Sequence, residues 1–315
     1  MNGEQHKIEV FEPFGEAFEW MKKVLFQPFD LVKWCVIGFA AFLAGAWGHG
    51  LSFRAPFRHW HKSEYWPSSD STLWLVPLVV SIGAIVLVLI VVFMWLSARG
   101  RFIFTDCVVR NRAAIAIPWR EYRREGNSYF LFWLVFGVLA LIALTGVILV
   151  LVVPYGLFTH ARQTREFSGL LMLALIVVAF GWIIATLLVA LISSFMVPIM
   201  YRRRCRATEA FFEVTRLMLA RPASFILYLL FGIVLLIAFM LVGTIVTCLT
   251  CCVAGLPYIN SVVFLPILVW LLAFKLLFLR QFGPEYDVWA TVEAPVAAGP
   301  PPESPQPDMP PPTAV

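Results

Sequence analysis

Apolar residues fall in long runs along this chain, and short charged stretches separate them. The runs cover about 31–48, 72–96, 129–153, 169–196, 224–252 and 259–280. Most are close to or beyond the ~20 residues that a helix needs to cross a hydrocarbon core ~30 Å thick. The pattern predicts an all-α fold, a polytopic bundle of six transmembrane helices, within a membrane domain at 13–290 that follows an N-terminal tail at 1–12. The second run does not stop at residue 96. It continues through SARGRFIFTDCVVRN, which predicts a helix projecting beyond the membrane with Phe102, Phe104 and Val108 packed and Arg99, Arg101, Arg110 and Arg112 exposed.

Between the runs the period changes to that of amphipathic helices. At 13–27, Phe14, Ala17, Phe18, Met21, Val24 and Leu25 share one face, with Glu16, Glu19, Lys22 and Lys23 opposite and Pro28 as the stop. Such a helix suits a membrane surface, and the Glu19–Lys23 spacing adds an i,i+4 pair. Similar short helices are expected at 118–125 and 207–220, with Gly126-Asn127 as a break before the third span and Pro198 as an end or kink in the fourth. In the first span Ala41, Gly45, Ala44 and Gly48 sit one turn apart in pairs, so another backbone can approach closely.

The amphipathic segments look repeated. EAFEWMKKVLFQP ends at Pro28 and EAFFEVTRLMLARP ends at Pro222, and half of the distance between the two prolines falls at Glu125. Three units, each a surface helix followed by an outward and a returning span, account for this spacing. Any chain of six membrane helices yields some such likeness by chance, and the middle copy is the weakest.

Composition agrees with a membrane protein: 61% of the residues are hydrophobic, 14% are charged and the mean hydropathy is +0.84. A soluble domain has nearly twice that share of charge. The first 30 residues carry six acids and no apolar core of a signal peptide, so none is expected to be cleaved. Residues 291–315 hold nine prolines, three acids and no base, which predicts a disordered tail. Lysines and arginines number 18 in the segments on the side of the N-terminus and five in the two loops opposite, which predicts a multi-pass cell (inner) membrane protein with both termini cytoplasmic. The net charge of +5 needs no further explanation.

Chemistry is sparse. Cys248, Cys251 and Cys252 lie at i, i+3 and i+4, a spacing that suits a soft metal, although small thiols packing between helices explain it more simply. The six cysteines give no disulfide framework. His49, His59 and His61 share a loop with Trp60, Tyr65 and Trp66, where an interfacial aromatic belt is the simpler account. Asp106 stands in an apolar stretch, and the expectation is a structural ion pair with a nearby arginine rather than a catalytic acid. Arg202, Arg203, Arg204 and Arg206 form a basic elbow against the bilayer, suited to lipid headgroups or a partner, each charge being worth ~1 kcal/mol near anionic lipid. The run is too short to indicate nucleic acid. No catalytic motif is present and no cofactor is implied.

The last span and its end, LPYINSVVFLPILVWLLAFKLLFLRQFGPEYDVW, together with the opening EWMKKVLFQPFDLVKWCVIGFAAFLAG, resemble an uncharacterised family of prokaryotic six-helix membrane proteins. That family is similar in layout to the membrane domain found beside glycerophosphoryl diester phosphodiesterases. The resemblance implies fold and location and no activity; this chain lacks the paired histidines and carboxylates of such catalysis. The expectation is therefore a non-enzymatic membrane protein that organises lipid or partner membrane proteins through basic cytoplasmic elbows. The alternative is a transporter or channel for a small or lipidic solute, with Thr145, Ser193, Ser194 and Thr244 lining its path.

Overall fold

A computed structural model describes residues 11–45, 69–158, 164–249 and 257–290. Every regular element among them is helical. In chain order these are α1 (Phe11–Phe26), α2 (Leu31–Gly45), α3 (Ser69–Val109), α4 (Ala116–Glu121), α5 (Arg123–Phe158), α6 (Thr164–Arg203), α7 (Ala207–Ala220), α8 (Pro222–Leu249), α9 (Pro257–Val263) and α10 (Leu265–Arg280), followed by a 3-10 turn at Pro284–Tyr286. Four stretches are long and apolar enough to cross a membrane: Pro77–Val109, Arg123–Val150, Met172–Arg203 and Pro222–Leu249. The shorter apolar helix α2, Leu31–Gly45, falls below that length. The histidine-bearing loop, the tail from 291 and residues 1–10 lie outside the described residues.

The helices are packed at one end and separate at the other. Buried side chains come from α1, from Ser97–Val109 of α3, from Leu191–Tyr201 of α6, from α7 and from α10. The opposite stretch of α3, from Leu78 to Val88, exposes apolar side chains on every face, as do α5 around Leu139–Ile142 and α8 around Val234–Leu241. Water would not tolerate such surfaces, whereas lipid tails are as apolar as the side chains themselves. The two ends therefore rest on different physics. The packed end gains from taking Phe102, Phe195, Phe225 and Phe278 fully out of water, ~1.5–3 kcal/mol for each ring; the separated end relies on its own backbone hydrogen bonds in lipid.

Close approach at the packed end depends on two glycines. Gly100 of α3 lies against α2, where an added Cβ would stand 2.6 Å from the backbone carbon of Leu43. Ser97 hydrogen-bonds the Ala44 carbonyl beside it at 3.0 Å. At Gly38 of α2 an added Cβ would stand 2.9 Å from the Val262 side chain. The small face of α2 is thus used through Ala40, Ala41 and Ala44, while a Cβ at Gly45 would meet nothing within 4 Å among the described residues and Gly48 lies outside them.

α1 buries Ala17, Met21, Val24 and Leu25 against α10, so much of the face expected to lie on lipid is covered by protein. Trp270 of α10 donates to the Phe14 carbonyl at 3.1 Å, and Arg280 pairs with Glu16 at 2.8 Å. Glu19 pairs with Lys22 rather than with Lys23, whose ammonium lies over the Trp20 ring.

Three other expectations are corrected, and of the end or kink expected at Pro198 the end is excluded. α3 does project beyond residue 96 unbroken, but Arg99 is buried and Arg101, Arg110 and Arg112 are half-buried, because α4, α5 and α6 pack around that extension. Gly126-Asn127 is no break: the Gly126 N–H bonds the Tyr122 carbonyl at 2.9 Å and α5 runs straight through, the absent Cβ leaving room for the Arg99 stem. Pro198 does not end α6, which continues to Arg203. The expected last span is interrupted at Phe264, where Pro266 lacks the N–H that would bond residue 262. The freed Val262 carbonyl instead accepts from the Trp34 indole at 3.0 Å, which ties α9 to α2.

Candidate functional site

The chemistry of this chain gathers at the packed end, where α3, α4, α5 and α6 terminate or begin. α3 ends at Val109 and the chain turns at Asn111, a residue that tolerates the left-handed backbone found there (φ 50°), and the Arg112 N–H reaches back to the Cys107 carbonyl at 3.2 Å. That turn brings Arg110 and Arg112 to one carboxylate. Asp106 is fully buried, with Oδ1 3.2 Å from Arg110 Nε and Oδ2 2.8 Å from Arg112 Nη2. Tyr201, coming from α6, donates to Oδ1 at 3.1 Å. Both carboxylate oxygens are engaged, which suits a tie between helices.

A second carboxylate extends the tie. Glu121, at the end of α4, accepts from Arg110 at 3.1 Å and from Arg204. Arg204 also lies 3.6 Å from Glu125 and places its guanidinium 3.9 Å over the Tyr122 ring, which in turn stacks on Tyr201 at 4.8 Å. Burial pushes the Tyr122 phenol above its ordinary pKa, so it stays neutral. Arg204 itself has a left-handed backbone (φ 52°), which ends α6 and turns the chain toward α7.

The four arginines of the elbow therefore differ. Arg203 pairs with Glu213 of α7 at 3.0 Å, and Arg204 is held by α4. Arg202 and Arg206 make no ion pair among the described residues, and neither do the exposed Arg216 and Arg221 on and after α7. The closing motif of the sequence is seated here as well: the Tyr286 hydroxyl donates to Glu213, and Trp289 packs edge-on to Trp20 at 5.5 Å. Burial raises the Tyr286 phenol, and the bond to Glu213 adds to the shift. Burial likewise raises the Cys205 thiol, with the Glu209 carboxylate next in effect.

On the other side of α4 lies an open cavity of about 450 Å³, lined by Trp95 and Arg99 of α3, Trp119 and Arg120 of α4, and Arg123 of α5. Arg99 donates through Nε and Nη2 to the Asn127 side-chain oxygen at 3.3 and 2.9 Å. Its guanidinium lies 4.5 Å from the Trp95 ring and 4.8 Å from the Trp119 ring, and the rings meet edge-to-face at 5.7 Å. Asn127 also accepts from the Trp95 indole at 3.2 Å.

A family of unknown function, DUF7544, matches residues 8–296. The chain belongs to that family. No curated protein and no solved structure matches it. The match spans every described helix of the DUF7544 chain and both of the stretches on which the sequence-level resemblance rests.

Among the other candidate residues of the DUF7544 chain, Cys248 is exposed near the separated end of α8, and Cys251 and Cys252 lie outside the described residues. The described residues hold no group of three or more side chains that would bind a metal. Thr145 and Thr244 are exposed on their helices, and Thr244 and Ser193 donate to carbonyls of their own helices at 2.8 Å. Sequence reasoning missed Tyr201 as a partner of Asp106, Glu121 and Tyr122 as members of the same cluster, and the cavity. WREYRREGN carried a signal in its i,i+4 acids, Glu121 and Glu125, which share one helical face.

Proposed function

We propose that this protein is a non-enzymatic organiser of membrane lipid or partner membrane proteins, acting through the basic elbow between α6 and α7. One observation supports this most directly: Arg202, Arg206, Arg216 and Arg221 have no ion-pair partner among the described residues, while Glu121 and Glu213 beside the elbow are taken by Arg110, Arg203 and Arg204. Unpaired arginines against a bilayer attract anionic headgroups, ~1 kcal/mol for each, or the acidic face of another protein.

In this reading the elbow is cytoplasmic, in a cell (inner) membrane. The distribution of lysines and arginines supports that orientation with both termini on the same side. α2 and the broken α9–α10 pair serve as two further spans beside the four long ones, six in all. A charged helix followed by a mainly apolar one recurs as α1–α2, α4–α5 and α7–α8, in keeping with a threefold repeat. The likeness in layout to the membrane domain beside glycerophosphoryl diester phosphodiesterases belongs to this reading and adds no phosphodiester chemistry.

The test reconstitutes the full chain into bilayers with and without anionic lipid and measures enrichment of spin-labelled anionic lipid around it. A crosslinked pull-down from native membrane accompanies it. The Arg202→Gln, Arg206→Gln, Arg216→Gln, Arg221→Gln variant should lose the enrichment or the partner, and the loss should be reproduced by added salt. If lipid enrichment and partner recovery both survive that variant, the reading fails. Arg203 and Arg204 are left intact because their ion pairs hold the fold.

A further inference from the structure

Charge at the packed end is segregated about α4. Glu121 and Glu125 face the elbow and are taken by Arg110 and Arg204. On the opposite side, Arg99, Arg120 and Arg123 converge on one cavity, and no carboxylate pairs with any of them among the described residues. Arg99 is only 6% exposed. A mostly buried guanidinium that lines one open cavity with two further arginines favours an anion there to balance the charge. Two indole faces and the Asn127 oxygen orient it but carry no formal negative charge.

The cavity also sits at a definite level. Along α3 it lies where the fully exposed apolar stretch, Leu78 to Val88, gives way to the buried stretch from Ser97. Arginine and tryptophan at that level match the headgroup zone, with hydrocarbon surface continuing along the same helix.

We propose that Trp95, Arg99, Trp119, Arg120 and Arg123 form a binding site for a phosphate monoester or diester, supplied by the headgroup of an anionic phospholipid whose acyl chains run along the exposed face of α3. Arg120 and Arg123 supply charge from the rim, and Arg99 supplies a pre-oriented donor from the floor. The site deepens the reading of this protein as a lipid organiser by naming a second, stoichiometric lipid contact; it does not depend on the elbow arginines.

Native mass spectrometry of the full chain, delipidated in detergent, tests it with three probes: phosphatidylglycerol, phosphatidylcholine of the same acyl chains, and inorganic phosphate. One phosphatidylglycerol per chain should be retained in preference to phosphatidylcholine. The Arg120→Gln, Arg123→Gln variant, which changes only exposed side chains, should weaken that retention about thirtyfold with an unchanged melting temperature. Equal retention of the two lipids, or retention unaffected by the variant, overturns the proposal. Displacement of the lipid by millimolar inorganic phosphate would assign the site to a free phosphate ester and overturn the lipid source. The elbow variant Arg202→Gln, Arg206→Gln, Arg216→Gln, Arg221→Gln should keep the single bound lipid, so either reading can fail without the other.

Discussion

The hydroxyl of Tyr201 meets the carboxylate of Asp106 at 3.1 Å, across 95 residues of chain. Through that bond the end of α6 is fixed to the end of α3, and Arg110 and Arg112 close the other approaches to the same carboxylate. Asp106→Asn should lower the stability of the purified protein by on the order of 2 kcal/mol. It removes the nearer counter-charge of Arg112 and one of the two of Arg110, while Glu121 and water, which reaches both half-buried arginines, offset part of the loss. Tyr201→Phe should cost about half as much. A double-mutant cycle read by thermal melting in detergent should show coupling between the two positions, and strict additivity would contradict a shared bond.

Arg202 and Arg204 stand two residues apart and should respond differently. Arg204→Gln removes the pairs with Glu121 and Glu125 and the stacking on Tyr122, and should lower the melting temperature by several degrees. Arg202→Gln should leave it within about a degree, as expected of a surface change. Differential scanning fluorimetry of the two variants decides the matter, and equal effects would argue against the clasp.

Gly100 and Gly137 make a similar contrast within the long helices. A Cβ at Gly100 would collide with the α2 backbone, whereas one at Gly137 meets nothing within 4 Å among the described residues. Gly100→Ala should cost ~1–3 kcal/mol through separation of α2 from α3, while Gly137→Ala should be neutral or slightly stabilising. Yield of monodisperse protein in size-exclusion chromatography reports both.

Tyr286 supplies a pH dependence with a definite sign. Its phenol is raised by burial and by the bond it donates to Glu213, so the folded state keeps a proton that the unfolded chain loses near pH ~10. Its contribution is complete below that value and is lost as pH rises toward the raised one. Melting curves taken from about pH 9 to 11 should fall more steeply for the wild type than for Tyr286→Phe. Parallel curves would mean that the phenol is free of Glu213 in solution.

The long apolar runs were legible in the sequence because twenty apolar residues in a row have few alternatives to a membrane helix. So was α7, whose expected bounds coincide with Ala207–Ala220, since its apolar positions keep a helical period between two basic ends. The Gly126-Asn127 step was misread because glycine marks turns in general, and only the approach of the Arg99 stem explains one in mid-helix. The expectation that Arg99 is exposed failed for a related reason. Local pattern says that arginine seeks water, and it cannot foresee two tryptophans from different helices closing over the side chain. The interruption at Phe264 was written in Pro266, but a proline within an apolar run is compatible with either a kinked or a broken helix.

The contrast between the packed and the separated ends of the bundle implies two very different tolerances to change. From Leu78 to Val88 one apolar residue should be as good as another, because these side chains are exposed among the described residues and suit hydrocarbon alone. From Phe195 to Tyr201 most side chains fit against specific neighbours, and most replacements leave a hole or a collision. A saturation library should therefore divide each long helix into a permissive and a restrictive part, and the identity of this protein as one fold is written mainly in the second.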